Sequence, residues 1–394
     1  MNYSFDGNIT SLKEQSVPFV LRDGRIRFPV GFANFVDINK KDIVLHGLTK
    51  NGKEIHLVVE HLWQKGAWRE VVDGKEVMCA PHIEGVVGVC ATMEPNTFNK
   101  VDSLGFYSLE IPKITNQSIS GCLNDDNSSW MGIKKPIGSF KLGDSDYKLS
   151  IGFMENRPFY QGQLLELRND KNYDLRTMKD AYLVIKRLLC FLYQKRIIPL
   201  DQVLLRSNEK NVGQLFVDNT ESSKYVFDYV KCIPINSLGK DINLLLQLLA
   251  DDKIYLRHIP VFKEDENVVT HGRFLMALIG IENVLDSLNI HAYQPESNRE
   301  KLKDRICYSI TSYKQEVSNF FVLNSLGNDI QSISSDLAIM RNKMAHGKLE
   351  YNLTIKSAYQ MQFLMLFILF LQLISIGVDK KKASEIVPLI MFKH

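Results

Sequence analysis

The feature that most constrains this 394-residue chain is a change in the spacing of its apolar residues. Up to about residue 165, short β-prone runs alternate with turn residues, as in "DIVLHGLTKNGKEIHLVVEHLW". There Asn51-Gly52 is typical of a β-hairpin, because both residue types tolerate positive φ. Beyond about residue 240, apolar residues recur every three or four positions, which is typical of amphipathic helices. The two patterns predict an α+β protein, with a β-rich half followed by an all-α half.

The β-rich half contains many short strand candidates separated by turns, among them "IEGVVGVCATME", "LGFYSLEIPKI" and "DYKLSIGFME". A second hairpin is predicted at Asp73-Gly74. Such a pattern favours a β-sandwich or a partly open barrel, and we expect a sandwich-like domain. Residues 166–235 mix the helical run "LRTMKDAYLVIKRLLCFLYQKR" with the strand-like runs "VGQLFVDN" and "KYVFDYVKCI". We therefore assign residues 1–235 to an N-terminal recognition or regulatory domain, with strands mainly in 1–165 and mixed structure in 166–235.

The helical half is assigned to residues 236–394. A short helix is predicted in "GKDINLLLQLLADD", and longer ones in "NVVTHGRFLMALIGIENVLDSL", "SNREKLKDRICYSITSYKQEVSNFF", "GNDIQSISSDLAIMRNKMAHG" and residues 355–378. Four long helices joined by short connections most simply form an antiparallel bundle.

One apolar run raises the question of a membrane. Met361–Val378, "MQFLMLFILFLQLISIGV", reaches the lower limit of a membrane span, and the basic "DKKK" follows it. Because Gln362, Gln372 and Ser375 interrupt the run, a core helix of a soluble domain is favoured over a membrane anchor. The N-terminal "MNYSFDGNIT" lacks the basic and apolar regions of a signal peptide. A cytoplasmic location is expected.

Charge and cysteine content exclude little by themselves. The formal net charge of +3 does not indicate nucleic-acid binding, although it allows a local basic cleft. The six cysteines contain no C-x-x-C pair, which fits a reducing compartment. Cys79, His82 and Cys90 are close enough in sequence to be considered as metal ligands, but no second half of a zinc pattern follows. Buried cysteines on strands are the favoured interpretation, and no metal or cofactor is expected.

The segment "MRNKMAHGK", residues 340–348, is the strongest candidate for chemistry. The apolar stripe of its helix is predicted to consist of Ile330, Ile333, Leu337, Met340 and Met344. Arg341, Asn342 and His346 lie off this stripe. Asn342 and His346 are four residues apart and share one face, whereas Arg341 is roughly 140° from His346 around the axis. Gly347 suits the position after the helix end, which would leave His346 at the terminus.

These three residue types suit metal-independent cleavage of RNA. The 2′-hydroxyl must lose a proton and attack the adjacent phosphorus, and an imidazole can take that proton or give one to the leaving 5′-oxygen. A guanidinium can bind two phosphoryl oxygens, and an asparagine can orient the imidazole or hold an oxygen. The products would be a 2′,3′-cyclic phosphate and a 5′-hydroxyl, and DNA would be spared. The alternative is a solvated helix face with a histidine at its C-terminal end.

The C-terminal helical unit carries Arg341, Asn342 and His346 near the end of its third long helix. In this respect the unit resembles the HEPN family. The resemblance covers roughly residues 240–394, and "RNKMAHG" has the family's arginine, following polar residue and histidine. The order of a β-rich half before such a domain is similar to ApeA-like HEPN proteins of bacterial anti-phage defence. The resemblance implies a homodimer whose two motifs face each other, and a metal-independent endoribonuclease with Arg341, Asn342 and His346 as catalytic residues. It further implies tRNA as substrate and an activity restrained until a phage-derived trigger acts.

Several other residues are considered beside the motif. Glu282, on the first long helix, is a candidate accessory residue that could support Arg341 by an ion pair, although an ordinary helical acid is the favoured interpretation. Lys343 and Lys348 flank the motif and either contact phosphates or are solvated. His258 and His271 are interpreted as structural or surface residues. The competing function is a non-catalytic HEPN-type module that binds RNA or dimerises.

The aromatic residues of the β-rich half admit two interpretations. Interleaved with lysine and arginine, they can stack on bases, but more often such residues form the core. They are Phe28, Phe32, Phe35, Trp63, Trp68, Phe106, Tyr107 and Trp130.

Overall fold

The chain divides into two compact units. The structure is a computed structural model, and it describes residues 3–12, 15–72, 74–108, 111, 122–123, 130–131, 135–153, 163–171, 173–194, 200, 202–217, 232–258, 270–291, 301–318, 320, 325–327, 329–346 and 354–391. The β unit comprises Met1–Pro112, Gln117–Leu183 and Pro199–Tyr225, and the helical unit comprises Lys113–Asn116, Val184–Ile198 and Val226–His394. The helical unit thus also includes residues 113–116, 184–198 and 226–235, which were predicted to belong to the N-terminal domain.

The β unit is built around one large antiparallel sheet. Its strands are β1 Ser4–Leu12, β2 Gln15–Arg22, β3 Arg25–Pro29, β4 Ile43–Thr49, β5 Glu54–Lys65, β6 Trp68–Val72, β7 Lys75–Cys79, β8 His82–Met93, β9 Ser103–Tyr107, β10 Cys122–Leu123, β11 Trp130–Met131, β12 Lys135–Leu142, β13 Ser145–Phe153, β14 Gln163–Asn169, β15 Gln202–Ser207 and β16 Lys210–Val217. Short 3₁₀ turns occupy Val30–Asn34 and Phe98–Lys100. Twelve strands pair in the order β12-β13-β14-β9-β15-β16-β8-β3-β2-β1-β4-β5, while β6–β7 and β10–β11 form separate hairpins.

The sheet closes on itself through a further pairing of β5 with β8. These two strands pair from Glu54↔Met93 to Lys65↔His82, so β8, β3, β2, β1, β4 and β5 form a closed barrel. Its interior is an apolar cluster that includes Phe19, Leu21 and Phe28. The strand pattern favoured a sandwich or a partly open barrel, and the structure contains a barrel in place of the expected sandwich. A sandwich and a barrel show the same alternation along each strand, and only the pairing of strands distant in sequence distinguishes them.

The predicted hairpin between β4 and β5 is confirmed, and its turn shows why glycine is needed there. Gly52 adopts φ +77°, a left-handed conformation that costs glycine little. The amide N–H of Gly52 donates to the carbonyl of Thr49, and the amide N–H of Thr49 donates to the carbonyl of Lys53. In the second predicted hairpin, Gly74 has φ +75° between β6 and β7, while Asp73 lies outside the described residues.

The outermost strand of the sheet, β12, is paired only with β13 in the sheet order. It carries Lys135 and Pro136, and its register with β13 shifts between Pro136 and Gly138. Lys141 near its other end is exposed. Among the described strands, β12 therefore forms the edge of the sheet at the end opposite the closed barrel.

A buried ion pair lies in the sheet outside the barrel. Arg206 on β15 donates from Nη1 to Oε2 of Glu166 on β14 at 2.9 Å, and both side chains are only 2% exposed. The Nη2 atom of Arg206 also donates to the carbonyls of Phe153, at 3.2 Å, and Glu209. Gly152 provides the room, because a Cβ at this position would come within 2.7 Å of Glu166 Oε2.

The helices are α1 Leu175–Tyr193, α2 Ile235–Leu238, α3 Ile242–Ala250, α4 His271–Ser287, α5 Leu302–Ser312, α6 Lys314–Val317, α7 Ile330–Ala345, α8 Ile355–Ser375 and α9 Lys380–Met391, with 3₁₀ turns at Gly239–Asp241 and Ile254–Arg257. The predicted strand in "VGQLFVDN" and the predicted helix in "GKDINLLLQLLADD" are confirmed as β16 and α3. Most of "KYVFDYVKCI" lies outside the described residues. The last predicted helix, 355–378, ends at Ser375, and a separate helix, α9, follows it.

The helix α8 forms the centre of the helical unit. It has the length and composition of a membrane-spanning helix, but 78% of its most apolar 18-residue window is buried inside the protein. Its polar residue Gln372 is fully buried and donates to the carbonyls of Tyr255 and His258 at 2.7 and 2.9 Å. Helix α8 packs against α4 and α9. These contacts are those of a core helix, the interpretation that the sequence favoured.

We predict that Glu166→Ala lowers the free energy of unfolding by about 3 kcal/mol, because it leaves the buried Arg206 guanidinium without its counter-charge. Replacing both partners, as Glu166→Leu with Arg206→Met, should cost less than the single change. Urea unfolding followed by circular dichroism measures both. The control is Asp146→Ala, whose partner Lys141 is 73% exposed and 3.8 Å away, with an expected change of less than about 1 kcal/mol. Equal losses for Glu166→Ala and Asp146→Ala would contradict the prediction.

Candidate functional site

The helix α7 carries the motif, and its sequence explains its limits and orientation. Asp329 caps its N-terminus, where the side chain accepts a hydrogen bond from the backbone amide of Ser332 at 3.1 Å. The predicted apolar stripe is confirmed, because Ile333, Leu337, Met340 and Met344 are buried and Ile330 is half-buried. The remaining faces are therefore available for polar residues.

A polar contact holds α7 against α8. Oδ2 of Asp336 accepts hydrogen bonds from Nζ of Lys356 at 2.6 Å and from Nε2 of Gln360 at 3.2 Å. Gln360 is buried, so this contact lies partly within the packed unit. Together with the apolar stripe, it fixes the rotation of α7 and so determines which of its residues reach the surface.

Arg341 makes a two-point ion pair with Glu282 of α4. Its Nε lies 2.9 Å from Oε1 of Glu282, and its Nη2 donates to Oε2 at 3.3 Å. The Arg341 side chain is 35% exposed and that of Glu282 is 25% exposed. The ion pair considered in the sequence analysis is therefore present, although the ordinary helical acid was the favoured interpretation. The pair holds the guanidinium in one orientation at the surface.

Asn342 and His346 lie on one exposed face of α7. The helix ends at Ala345, His346 is its C-cap residue, and the backbone N–H of His346 donates to the carbonyl of Asn342 at 3.2 Å. Both side chains are exposed. Ile339, seven residues before His346, belongs to the same face and is 48% exposed. Gly347, the predicted residue after the helix end, lies outside the described residues.

The three motif side chains reach the surface but are not joined within one chain. In the part of the chain that the structure describes, no hydrogen bond or ion pair links the His346 ring to Arg341 or Asn342. Arg341 faces α4, through Glu282, while His346 occupies the end of α7. None of the three is buried in apolar packing.

The flanking residues have simpler roles. Nε2 of His258 lies 2.8 Å from Nδ2 of Asn283, which is a structural contact beside the 3₁₀ turn at Ile254–Arg257. His271 is the first residue of α4 and is half-buried. Lys343 is exposed, and Lys348 lies outside the described residues.

The described residues do not bring together the possible metal ligands Cys79, His82 and Cys90 of the β unit. Cys90 is fully buried in the barrel interior, where burial raises the pKa of its thiol, whereas His82 is half-buried at the other end of β8. The side chain of Cys79 lies outside the described residues. Among described histidine, cysteine, aspartate and glutamate side chains, no group of three or more is arranged to hold a metal ion. Phe28, Phe32, Phe106 and Tyr107 are buried, as expected of core aromatics.

Sequence reasoning missed a histidine pair between β4 and β5. The Nδ1 atoms of His46 and His56 are 2.5 Å apart, and the His56 ring stacks on Phe98 with centroids 4.2 Å apart. Burial lowers the pKa of both rings, and the neighbouring His46 lowers that of His56 further, while Glu54 acts in the opposite sense on both. The only sequence signal was that the two residues occupy facing positions, His46↔His56, on either side of the predicted Asn51-Gly52 hairpin.

Comparison of the chain with protein-family models, with characterised proteins and with solved structures finds no match.

We predict that Glu282→Ala leaves the helical unit folded and lowers the free energy of unfolding by no more than about 1 kcal/mol, because the ion pair is partly exposed. Circular dichroism and urea unfolding provide the measurement. A loss above about 3 kcal/mol would show that the pair is a structural element, and the variant would then be unsuitable for activity measurements.

Proposed function

We propose that the protein is a metal-independent endoribonuclease whose catalytic residues are Arg341, Asn342 and His346, and that its helical unit is a HEPN domain. One observation carries the proposal. A guanidinium fixed by two contacts to Glu282, an amide and an imidazole all reach the surface around the C-terminal part of one helix. These groups suit the attack of a 2′-hydroxyl on the adjacent phosphorus, which needs proton transfer and stabilisation of negative charge.

The contact with Glu282 leaves Arg341 able to bind phosphate. Glu282 occupies the edge of the guanidinium formed by Nε and Nη2. The end of the fork, which carries both Nη atoms, is the edge that a phosphate can approach with two further N–H groups. Glu282 would therefore be an accessory positioning residue: it fixes the plane of the guanidinium before substrate arrives, at the cost of part of the local positive charge.

His346 would act as the general acid or base. At the end of α7 its ring is exposed, so a ribose 2′-hydroxyl or a leaving 5′-oxygen can reach it. Asn342, one helical turn earlier on the same face, would hold a phosphate oxygen or orient the imidazole. The products would carry a 2′,3′-cyclic phosphate and a 5′-hydroxyl.

The resemblance to ApeA-like HEPN proteins suggests the setting. In this proposal the protein acts in the cytoplasm in anti-phage defence, cleaves tRNA and causes abortive infection. A phage-derived trigger would release the activity, and the β unit would recognise RNA or that trigger. The alternative is a HEPN-type module that binds RNA or dimerises without cleavage, in which the three residues only hold a ligand.

We predict that the protein, supplied with an extract of phage-infected cells as the source of the trigger, cleaves total tRNA in the presence of EDTA. His346→Ala should slow this cleavage at least about 100-fold, because it removes the proton-transfer group. Arg341→Lys should reduce the rate by a similar factor, since an ammonium lacks the two-point fork. Fragments are resolved on denaturing gels. Their 5′-hydroxyl ends should accept phosphate from polynucleotide kinase without prior phosphatase treatment.

The matched control for this assay is His291→Ala, which removes an exposed histidine of the helical unit outside the motif. It should cleave at the unmodified rate. Equal cleavage by the unmodified protein and by His346→Ala would refute the assignment. RNA binding without cleavage in every variant would favour the non-catalytic alternative.

A second chain can complete this site. Because Arg341 and His346 lie about 140° apart around α7, two copies of the helix facing each other would let the arginine of one copy approach the histidine of the other. The exposed Ile339 beside Asn342 and His346 provides an apolar contact for such a pairing. The proposed homodimer is therefore formed through the helical unit, with the motif-bearing faces of α7 opposed.

We predict that Ile339→Asp converts a dimer into a monomer in light scattering coupled to size-exclusion chromatography, because it places a charge in the apolar contact. Leu244→Asp is the control, since Leu244 on α3 has a similar exposure of 45% but lies outside the motif-bearing helix. Leu244→Asp should remain dimeric. A dimer that survives Ile339→Asp would place the interface elsewhere.

A further inference from the structure

The outer surface of the barrel carries a set of side chains that the register of four strands brings together. Across β2, β3, β8 and β5, one row of facing residues is Arg22, Arg25, Val86 and His61. The next row is Val20, Arg27, Glu84 and Trp63, and a third contains His82 and Lys65. Directly facing residues of antiparallel strands point to the same side, so these rows share one face. Intervening residues such as Leu21 and Phe28 fill the interior.

We define the basic face as Arg22, Arg25, Arg27, Trp63 and Lys65 around Glu84. Glu84 is fully buried, and its Oε2 lies 2.9 Å from Nζ of Lys65, while its Oε1 lies 3.6 Å from Nε of Arg27. Burial by itself raises the pKa of Glu84, but Lys65, Arg27 and Arg25 outweigh burial and hold this pKa below its ordinary value. Glu84 is therefore a buried carboxylate that holds the cations in place. The side chains of these cations stay partly in solvent, since that of Arg27 is 46% exposed and that of Lys65 is 40% exposed.

The basic face keeps a positive surplus when its acidic neighbours are included. Asp6 on β1 faces Val20 and already binds Lys50 at 3.3 Å. Asp23 lies in the turn between β2 and β3, with φ +49°. Five cations, counting Lys50, then face three carboxylates, which leaves a formal surplus of two. Arg22 and Arg25 contribute it most directly, because both are exposed on the same row.

The chemistry of the basic face points to one kind of partner. Guanidinium groups bind phosphate oxygens through their forks, and both guanidinium planes and the half-buried indole of Trp63 offer surfaces on which bases can stack. A lipid surface would favour protruding apolar side chains, but the exposed apolar residue in these rows is Val20, at only 37%. Positive charge with an aromatic surface on a sheet is the combination that holds a single-stranded nucleic acid.

We propose that the basic face of the barrel binds a single-stranded nucleic acid, with Arg22 and Arg25 on the phosphates and Trp63 against a base. This binding site lies wholly within the β unit and does not depend on cleavage by the helical unit. The protein would therefore bind nucleic acid even when Arg341, Asn342 and His346 do not cleave RNA.

The test uses the full-length His346→Ala protein, so that binding is measured without cleavage. The affinity for fluorescein-labelled single-stranded RNA and DNA of about 15 nucleotides is followed by fluorescence anisotropy at several salt concentrations. Changing Arg22 and Arg25 together to serine should weaken binding about tenfold. It should also reduce the slope of log affinity against log salt by about 1.4, because two phosphate contacts are lost. Trp63→Leu should weaken binding to single strands without changing the salt slope.

The control is the pair Lys148→Ser with Lys210→Ser, which removes two exposed cations of β13 and β16 outside the barrel wall that carries the basic face. Equal affinities for this control and for the Arg22 and Arg25 variant would overturn the proposal. Preferred binding of duplex RNA with no effect of Trp63→Leu would overturn it too, as would binding of phosphatidylserine vesicles without binding of either oligonucleotide. This experiment measures affinity and not cleavage. A negative binding result therefore does not bear on the tRNA cleavage assay, and a negative cleavage result does not bear on the binding proposal.

Discussion

The helical unit depends on one constraint: α8 is apolar on every side and must be surrounded. From Gln360 to Leu373 its side chains are buried apart from Gln362, and even its amides Gln360 and Gln372 have hydrogen-bond partners. A surrounded central helix requires partners on several sides, which α4 and α9 provide by packing and α7 by the contact of Asp336 with Lys356 and Gln360. Once these helices are placed, the polar side of α7 has to face solvent. The surface position of the motif is thus a consequence of how the core is filled.

Local sequence signals predicted individual elements well and their assembly less well. The hairpin turn at Gly52 and the apolar stripe of α7 depend on residues close together in sequence, and both predictions are confirmed. Closure of the barrel is set by β5 pairing with β8, which no alternation pattern within one strand reveals. The end of the helix near residue 378 was predicted, but the following helix α9 was not, although its start signal is present in the sequence. Gly377 has φ +94°, and the carboxylate of Asp379 accepts hydrogen bonds from the amides of Lys381 and Lys382.

In the candidate site, too, features within one helix were predictable and contacts between elements were not. Helical spacing was enough to place Asn342 and His346 on one face. The contact of Glu282 with Arg341 was considered but not favoured, because the spacing within each helix does not show which residues of two helices meet. The relation of Arg341 to His346 cannot follow from one helix, because 140° of rotation separates them and a second chain supplies the geometry in our proposal. The basic face cannot be predicted from the sequence, because Trp63 and Lys65 are about 40 residues from Arg25 along the chain. Only the register of β3, β8 and β5 makes them neighbours.

Barrel closure also bears on how the protein avoids unwanted association. Because β5 pairs with both β4 and β8, the large sheet, as far as the structure describes it, has its edge at β12. That strand is poorly suited as a template for another chain: Pro136 lacks an amide proton, the register slips beside it, and Lys135 and Lys141 place charge along it. Strand-to-strand polymerisation is therefore disfavoured at this edge. A second copy that approaches β12 therefore meets charged side chains and an interrupted row of backbone amides.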